Sequence, residues 1–329
     1  MIRAIRRAGA LVFVATGFAA CDVSVTVGYN DDGGSITPAS CSTDAPIRTC
    51  AEHACVVTEI GVAQMGKETV AVDGDFVYFV SPDDVLAKMP KGGGAIVELA
   101  NVVPNLERIT LDQDNVYWTE YDGNIHRVPK AGGGSTLVTK IFGHPISIAS
   151  HEGDLYVAMT DSGEIAKVTK SSGAETRLAG QNWPVDLSLD AEHVYWINQG
   201  QSGAMNGELV RAPLGNLAGA EVVLTGLDEP IALGVAADAI VWATYDKVFR
   251  FARQGGEPQA FEAPFGDPKG VTELDGVLYV AGESGVFRIR IADGSALALD
   301  PRGFTGLALG CEGLFLVGWY ESVLLRYGP

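Results

Sequence analysis

The chain carries a repeat of about 40 residues, and this repeat restricts the fold more than any other feature. It is clearest at residues 105–138, where four short apolar or alternating runs are separated by turn-forming clusters such as 112–115 and 132–134. A large apolar or aromatic marker in the second run recurs at Tyr78, Tyr117, Tyr156, Tyr195, Val241, Tyr279 and Phe315. Four short strands per repeat indicate a β-propeller, and the markers predict seven blades.

A second repeated position supports a closed ring. Each of seven small residues follows a branched aliphatic residue in the first run of its repeat; they are Ala71, Thr110, Ala149, Ser188, Gly234, Thr272 and Ala308. Strict alternation is a strand signal, and a small side chain on one face indicates that something crowds that face. The first strands of a propeller converge on its axis, so crowding is expected there.

The two ends of the repeat region are complementary. The seventh repeat stops after three runs, whereas residues 55–60 (CVVTEI) resemble the fourth run of other repeats. We therefore predict an all-β, seven-bladed β-propeller of four-stranded blades at 55–329, with the last blade closed by the N-terminal strand. Closure removes the unpaired strand edges that would promote aggregation.

The N-terminus has the pattern of an export signal. Three arginines in residues 1–7 precede an apolar segment at 8–20, which predicts a signal peptide at 1–20. Ala19-Ala20-Cys21 resembles a bacterial lipobox, with Phe18 where an aliphatic residue is usual. We expect Cys21 to be lipidated and residues 21–54 to form a flexible tether to a membrane of the bacterial envelope, either periplasmic or at the cell surface. The alternative is ordinary cleavage without lipid.

The other cysteines fit an exported protein, in which disulfides persist. The disulfide candidates are Cys41, Cys50, Cys55 and Cys311. Four cysteines allow three pairings, which the sequence leaves open. A bond from Cys311 to one of the other three would fasten the ring. Metal binding is the competing interpretation, but the spacing of these cysteines does not favour it.

Charge excludes one class of partner. The chain has 41 acidic and 23 basic residues, a net charge of −18, and no basic patch beyond the N-terminal arginines. A polyanion would be repelled, so we expect no binding to nucleic acid.

The repeat also resembles a known group of propellers. Residues 116–120 (VYWTE) and 126–133 (HRVPKAGG) resemble the YWTD and NHL β-propellers, and especially exported bacterial propellers with VYWT…VPKAGG blades. The resemblance covers residues 55–329 and implies the fold rather than a function. YWTD receptor propellers typically have six blades, whereas seven repeats are counted here.

The funnel at the start of the first strands is the predicted ligand site, because loops from every blade converge there. Its candidate residues are Asn105, Arg108, His144, Trp183, Asp186, Glu229 and Asp267. We expect a small polar or cationic ligand. The alternative is that Trp183, Glu229 and Asp267 are rigid strand starts, since each precedes proline. Outer loops on the same face carry aromatic residues that suit a protein or glycan contact: Tyr121, Tyr245, Trp319 and Tyr320.

These features predict a monomeric binding or scaffolding module without catalytic residues, cofactor or metal. Its partner would be an envelope protein, a glycan or a small polar ligand. The glycine runs at 92–94 and 132–134 lie between strands and predict hairpins rather than phosphate cradles. The alternative is a propeller enzyme of lactonase or lyase type, in which Asp186, Glu229 and Asp267 hold a divalent cation.

Overall fold

The computed structural model describes residues 12–13, 56–62, 69–81, 83–274, 276–310, 313–318 and 323–328, which form 29 β-strands and one short 3-10 turn, Leu217–Gly219. The predicted tether at 21–54 and all five cysteines, Cys21, Cys41, Cys50, Cys55 and Cys311, lie outside the described residues. None of the helical structure in these ranges is long and apolar enough to cross a bilayer.

Most strands form antiparallel meanders of four. Two strands precede them, β1 (Val12–Phe13) and β2 (Val56–Val62). Blade 1 contains β3 (Val70–Val72), β4 (Phe76–Val80), β5 (Val85–Pro90) and β6 (Val97–Asn101). Blade 2 contains β7 (Leu106–Leu111), β8 (Asn115–Glu120), β9 (Asn124–Pro129) and β10 (Thr136–Lys140). Blade 3 contains β11 (Pro145–His151), β12 (Asp154–Met159), β13 (Glu164–Thr169) and β14 (Glu175–Ala179).

The second half repeats the pattern. Blade 4 contains β15 (Pro184–Leu189), β16 (His193–Asn198), β17 (Gly207–Pro213) and β18 (Glu221–Leu227). Blade 5 contains β19 (Ala232–Val235), β20 (Ala239–Ala243), β21 (Lys247–Ala252) and β22 (Gln259–Glu262). Blade 6 contains β23 (Pro268–Leu274), β24 (Val277–Gly282), β25 (Gly285–Arg290) and β26 (Ala296–Asp300). The last strands are β27 (Phe304–Gly310), β28 (Gly313–Gly318) and β29 (Val323–Gly328).

The prediction of seven four-stranded blades is wrong, because the described chain forms six of them. The repeat around Phe315 instead belongs to a five-stranded terminal sheet, in the order β1-β2-β29-β28-β27. In this sheet β2 pairs with β29, with Val57 opposite Tyr327, and β1 pairs with the far edge of β2. The extra strand comes from inside the predicted signal peptide at 1–20, which has no counterpart in the repeat.

The first strands form a closed ring around an axis. Contacts run in order through β3, β7, β11, β15, β19, β23 and β27, and β27 returns to β3. This crowding explains the column of small residues. A Cβ added to Gly234 would lie 2.4 Å from the backbone oxygen of Val271 on the neighbouring first strand.

The core lies between the blades rather than at their centres. Tyr78 of blade 1 and Trp118 of blade 2 are almost fully buried in one apolar cluster. Trp196 and Trp242 fill similar clusters with residues of the preceding blades. Aromatic residues on second strands therefore supply much of the inter-blade packing.

The loops lie on two faces of the ring. We call the mouth face the side that carries the loops between second and third strands and the loops leading into each first strand. The hydrogen bonds Tyr121 N to Asn105 O (2.8 Å) and Gln199 N to Trp183 O (2.9 Å) join these two kinds of loop. The other loops make up the hairpin face.

Aspartates fasten neighbouring blades on the hairpin face. Asp112 Oδ1 accepts the N–H groups of Asp114 and Asn115, and its Oδ2 accepts the Tyr117 hydroxyl (2.8 Å) and Lys170 Nζ from blade 3 (3.0 Å). Asp73 and Asp190 bind in the same way. A carboxylate that satisfies four donors holds its turn, its tyrosine and the next blade together.

Candidate functional site

A cavity of about 190 Å³ lies on the axis of the ring. Its walls are mainly aliphatic side chains and backbone of the first strands, and its polar lining includes Arg108, Ser147, Asp186 and Lys269. Two predicted site residues, Arg108 and Asp186, therefore face one cavity. The charged part of this lining has two cations, Arg108 and Lys269, and one carboxylate, Asp186, so it does not favour a cationic ligand.

Asp186 is committed to the fold rather than free for a ligand. Its Oδ1 accepts the Ser147 hydroxyl (2.9 Å) and the N–H of Leu187 (3.0 Å), and its Oδ2 accepts the N–H of Leu233 (2.9 Å). These contacts join the first strands of blades 3, 4 and 5. Arg108 Nη2 lies 3.8 Å from Oδ1, at the outer limit of an ion pair.

At the same position of the repeat, Thr69 in blade 1 and Ser147 in blade 3 also join each blade to the next one. Thr69 Oγ1 accepts the N–H of Ile109 (2.9 Å), and Ser147 Oγ lies 3.4 Å from the N–H of Leu187. Each side chain thus receives a backbone donor from the first strand of the next blade. A short polar side chain at this position supplies an acceptor for a backbone N–H group of the next blade, where neighbouring first strands curve around the axis.

Three of the predicted ring residues have left-handed backbone conformations. The φ angles are 58° at His144, 64° at Trp183 and 41° at Glu229. Non-glycine residues rarely adopt this region, and each of the three precedes proline. The alternative interpretation, rigid strand starts at Trp183, Glu229 and Asp267, agrees with the strand bounds at Trp183 and Asp267, because β15 begins at Pro184 and β23 begins at Pro268. All three residues lie in loops that lead into first strands, and they therefore belong to the mouth face.

His144 lies beside acidic and aromatic neighbours. Its ring centroid is 4.3 Å from that of Tyr121. Its Nε2 lies 3.9 Å from Glu107 Oε1, and its Nδ1 lies 3.7 Å from Asp161 Oδ1. Neither distance is a hydrogen bond, so His144 makes only long-range polar contacts with these carboxylates.

Glu229 anchors the loop at 199–206 between β16 and β17, which we call the inserted loop because it is longer than the corresponding loop of the other blades. Its Oε1 accepts the Ser202 hydroxyl (2.7 Å) and the N–H of Gly203 (2.6 Å). The Ser202 hydroxyl and the Gly203 N–H together lower the pKa of Glu229, so the carboxylate is ionised at neutral pH. Asp267 has a different partner, Lys269 Nζ at 2.9 Å.

The three carboxylates of the cation hypothesis are thus engaged separately. Asp186 binds backbone and serine donors, Glu229 binds the inserted loop, and Asp267 binds lysine. In the part of the chain that the structure describes, no group of three His, Cys, Asp or Glu side chains is placed to hold a metal ion.

The mouth face carries exposed aromatic residues. Trp183 is 53% exposed, Tyr121 is 54% exposed and Tyr245 is 55% exposed. Phe142 (69%) and Met205 (61%) lie on the same face and were not among the predicted contact residues. They were missed because single apolar residues in loops carry no periodic signal. Trp319 and Tyr320 lie outside the described residues.

Sequence reasoning also missed the blade-fastening aspartates Asp73, Asp112 and Asp190. A signal for them exists, since each lies five residues before a tyrosine marker, in stretches such as DQDNVY at 112–117. Their side chains are saturated by donors of the chain itself, so they belong to the fold rather than to a ligand site.

Comparison with known proteins gives structural relatives only. No family model and no curated protein matches the chain. A chain from a crystal structure of a nidogen/laminin complex has 14% identity and a TM-score of 0.55, and the match covers 77% of this chain and 97% of that one. The WD40 β-propeller domain of Doa1 has 14% identity and a TM-score of 0.66, covering 83% and 97%.

A computationally designed protein, Ika8, also matches, with 10% identity, a TM-score of 0.60 and coverage of 82% of this chain and 98% of that one. At these identities a likeness shows the fold and nothing finer. The chain is a β-propeller built from four-stranded blades, with a terminal sheet in which β2 pairs with β29.

Proposed function

We propose that this protein is an exported, lipid-anchored binding propeller of a bacterial envelope, which holds a partner against its mouth face. The observation that carries the proposal is the position of the exposed aromatic side chains. All four in the described part of the chain, Tyr121, Phe142, Trp183 and Tyr245, lie on the mouth face. Exposed apolar side chains gathered on one side of a soluble domain are typical of an interaction surface.

The fold supplies a rigid support for such a surface. The loops of the mouth face rise from buried strands, and the hairpin face fastens neighbouring blades through Asp73, Asp112 and Asp190. Binding residues on loops above a rigid scaffold are a recurrent arrangement in proteins. We do not propose the enzyme alternative, because Asp186, Glu229 and Asp267 each have separate partners.

A photo-crosslinking residue placed at Trp183 or Tyr245 tests the binding proposal in intact cells of a bacterial host that expresses the protein. We expect adducts of defined mass from both positions. The matched control is the same residue at Glu192, which is exposed on the hairpin face. Adducts of equal yield from Glu192, or none from the mouth face, would contradict the proposal.

Export and lipidation rest on residues 1–21 and have their own test. In the wild type we expect a membrane-bound protein whose N-terminal peptide begins with diacylglycerol-modified Cys21. In Cys21→Ser the mature protein should leave the membrane fraction and lack the lipid mass. A wild-type protein with an unmodified N-terminus would refute the anchor without touching the binding proposal.

A further inference from the structure

The mouth face carries carboxylates that have no lysine or arginine partner among the described residues. Glu229 is held by a serine hydroxyl and a backbone N–H, and Asp246 accepts the Thr244 hydroxyl (3.2 Å). Asp161 Oδ1 lies 3.7 Å from Nδ1 of His144. Asp228 and Glu283 are exposed, and within the described ranges neither forms an ion pair. These five residues give the mouth face a local negative potential.

The carboxylates that fasten the blades on the hairpin face have basic partners. Asp73 pairs with Lys130 at 2.9 Å, Asp112 pairs with Lys170 at 3.0 Å, and Asp190 pairs with Arg253. The hairpin face also exposes other carboxylates, such as Asp75 and Glu192, but in the described part of the chain it carries no exposed aromatic residue. The mouth face is distinguished by having exposed carboxylates and exposed aromatic residues together.

Two of the exposed aromatic residues on the mouth face are each followed directly by an aspartate. Tyr121 directly precedes Asp122, and Tyr245 directly precedes Asp246, at the same turn between the second and third strands of blades 2 and 5. An aromatic ring face and a carboxylate both attract a cation, and they act together when one cation contacts both. The repeated pair suggests cation recognition rather than simple apolar contact.

The protein holds one such cation itself. Lys140 Nζ lies 3.3 Å from Asp122 Oδ2 and 6.0 Å from the centroid of the Phe142 ring. All three groups belong to the mouth face or its edge, and the lysine and the aspartate are both largely exposed. A lysine ammonium therefore fits between an aromatic ring and a carboxylate on this surface.

We propose that the mouth face recognises a basic segment of a partner protein, with lysine or arginine side chains taken between its aromatic rings and its unpaired carboxylates. The inference rests on the proposed binding function and specifies the chemical class of the partner, which is a basic protein segment. The exposed aromatic residues are distributed over blades 2 to 5, a wider area than a small amine would cover. The axial cavity would not suit a small amine either, because Arg108 and Lys269 line it.

Titration of the purified protein with an oligolysine peptide tests the inference, with an oligoglutamate peptide of equal length and spermine as comparison probes. The mouth-face variant combines Asp161→Asn, Asp228→Asn and Asp246→Asn. The matched control combines Asp75→Asn, Asp114→Asn and Glu192→Gln, which removes the same number of charges from exposed hairpin-face positions. Both variants should unfold at the wild-type temperature.

We expect oligolysine to bind the wild type, with an affinity that falls as salt is added. The affinity of the mouth-face variant for oligolysine should fall about tenfold, because the variant lacks three carboxylates and each exposed ion pair contributes only a small factor to binding. The control should stay within about twofold, and Trp183→Ala with Tyr245→Ala should lose about fivefold. Equal losses in both charge variants would overturn the inference, because attraction would then follow net charge alone.

Two further outcomes would also overturn it. Spermine bound as tightly as oligolysine, with the same sensitivity to the variants, would indicate a small-amine site. Binding of oligoglutamate would indicate the opposite charge preference. If photo-adducts form at Trp183 while oligolysine binding ignores the mouth-face variants, the inference fails and the proposed function stands. If both the adducts and the oligolysine binding are absent, both fail.

Discussion

Lys130 of blade 2 places its Nζ 2.9 Å from Oδ2 of Asp73 in blade 1, and the same inter-blade contact recurs between Lys170 and Asp112. Asp190 of blade 4 pairs in the same way with Arg253 of blade 5. These inter-blade ion pairs and the exposed aromatic residues are thus on opposite faces. This separation lets the mouth face vary in side chains without loosening the ring, because its residues take little part in the inter-blade ion pairs.

Replacing Asp112 should destabilise the protein strongly. Asp112→Ala leaves the Tyr117 hydroxyl, two backbone N–H groups and the largely buried Lys170 without their acceptor. We expect the free energy of unfolding to fall by about 2–4 kcal/mol. Urea unfolding would measure it. Asp114→Asn, in the same turn but exposed, should change it by less than about 0.5 kcal/mol. Similar losses from both substitutions would show that the turn itself matters and the carboxylate does not.

Acid should weaken the same contacts. Burial raises the pKa of Asp73, Asp112 and Asp190, but hydrogen bonds and basic neighbours outweigh burial, and each pKa lies below its ordinary value of 3.8. A carboxyl group with a lowered pKa in the folded state stabilises the fold above the unfolded pKa and loses that stabilisation as the pH falls through the folded value. Stability should therefore be constant near neutrality and decline below about pH 4.

Urea unfolding at a series of pH values would show this decline. A variant with Asp112→Asn should show a shallower decline, since one of the carboxyl groups whose pKa is lowered in the folded state is gone. If Asp112→Asn showed the wild-type dependence of stability on pH, the protonation of Asp112 would not contribute to the loss of stability in acid.

Gly234 should not tolerate a side chain. The added Cβ of Gly234→Ala would lie 2.4 Å from Val271 O and 2.9 Å from Val241 Cγ2, so neighbouring first strands would have to move apart. We expect a loss of about 1–3 kcal/mol in the free energy of unfolding. Gly74→Ala is the control, because its Cβ would meet no atom within 4 Å. Equal stability of the two variants would argue against crowding at the axis.

The inserted loop at 199–206 should loosen without its anchor. Ser202→Ala removes the hydroxyl that Glu229 accepts and leaves the Gly203 N–H as the remaining donor. Amide hydrogen exchange in the loop should become faster, while exchange in β16 and β17 stays the same. Ser172→Ala, in a hairpin-face turn, serves as the control. Protection unchanged in the loop would mean that Glu229 does not hold it.

The axial position of Asp186 could be predicted from the sequence, but its role could not. The repeat predicts Asp186 for the funnel at the start of the first strands, together with Arg108. Its donor Leu233 lies 47 residues away, and its hydrogen bond exists because adjacent first strands meet side by side. The sequence therefore predicts Asp186 as a ligand-binding residue, whereas in the structure its side chain joins neighbouring blades.

The sequence by itself determined the local structure of this protein. Alternating side chains and turn residues specify strands through the stereochemistry of the chain, so Tyr78 and Tyr117 lie on second strands and Tyr121 lies in a loop of the mouth face. Only the tertiary structure decided how the sheets are composed, with six four-stranded blades and a five-stranded terminal sheet, and which polar residues are satisfied. The composition of the terminal sheet depends on pairing between segments far apart in the chain, such as β1 with β2, and the partners of the polar residues depend on contacts between blades, such as Asp186 with Leu233. The repeat pattern carries no information about either.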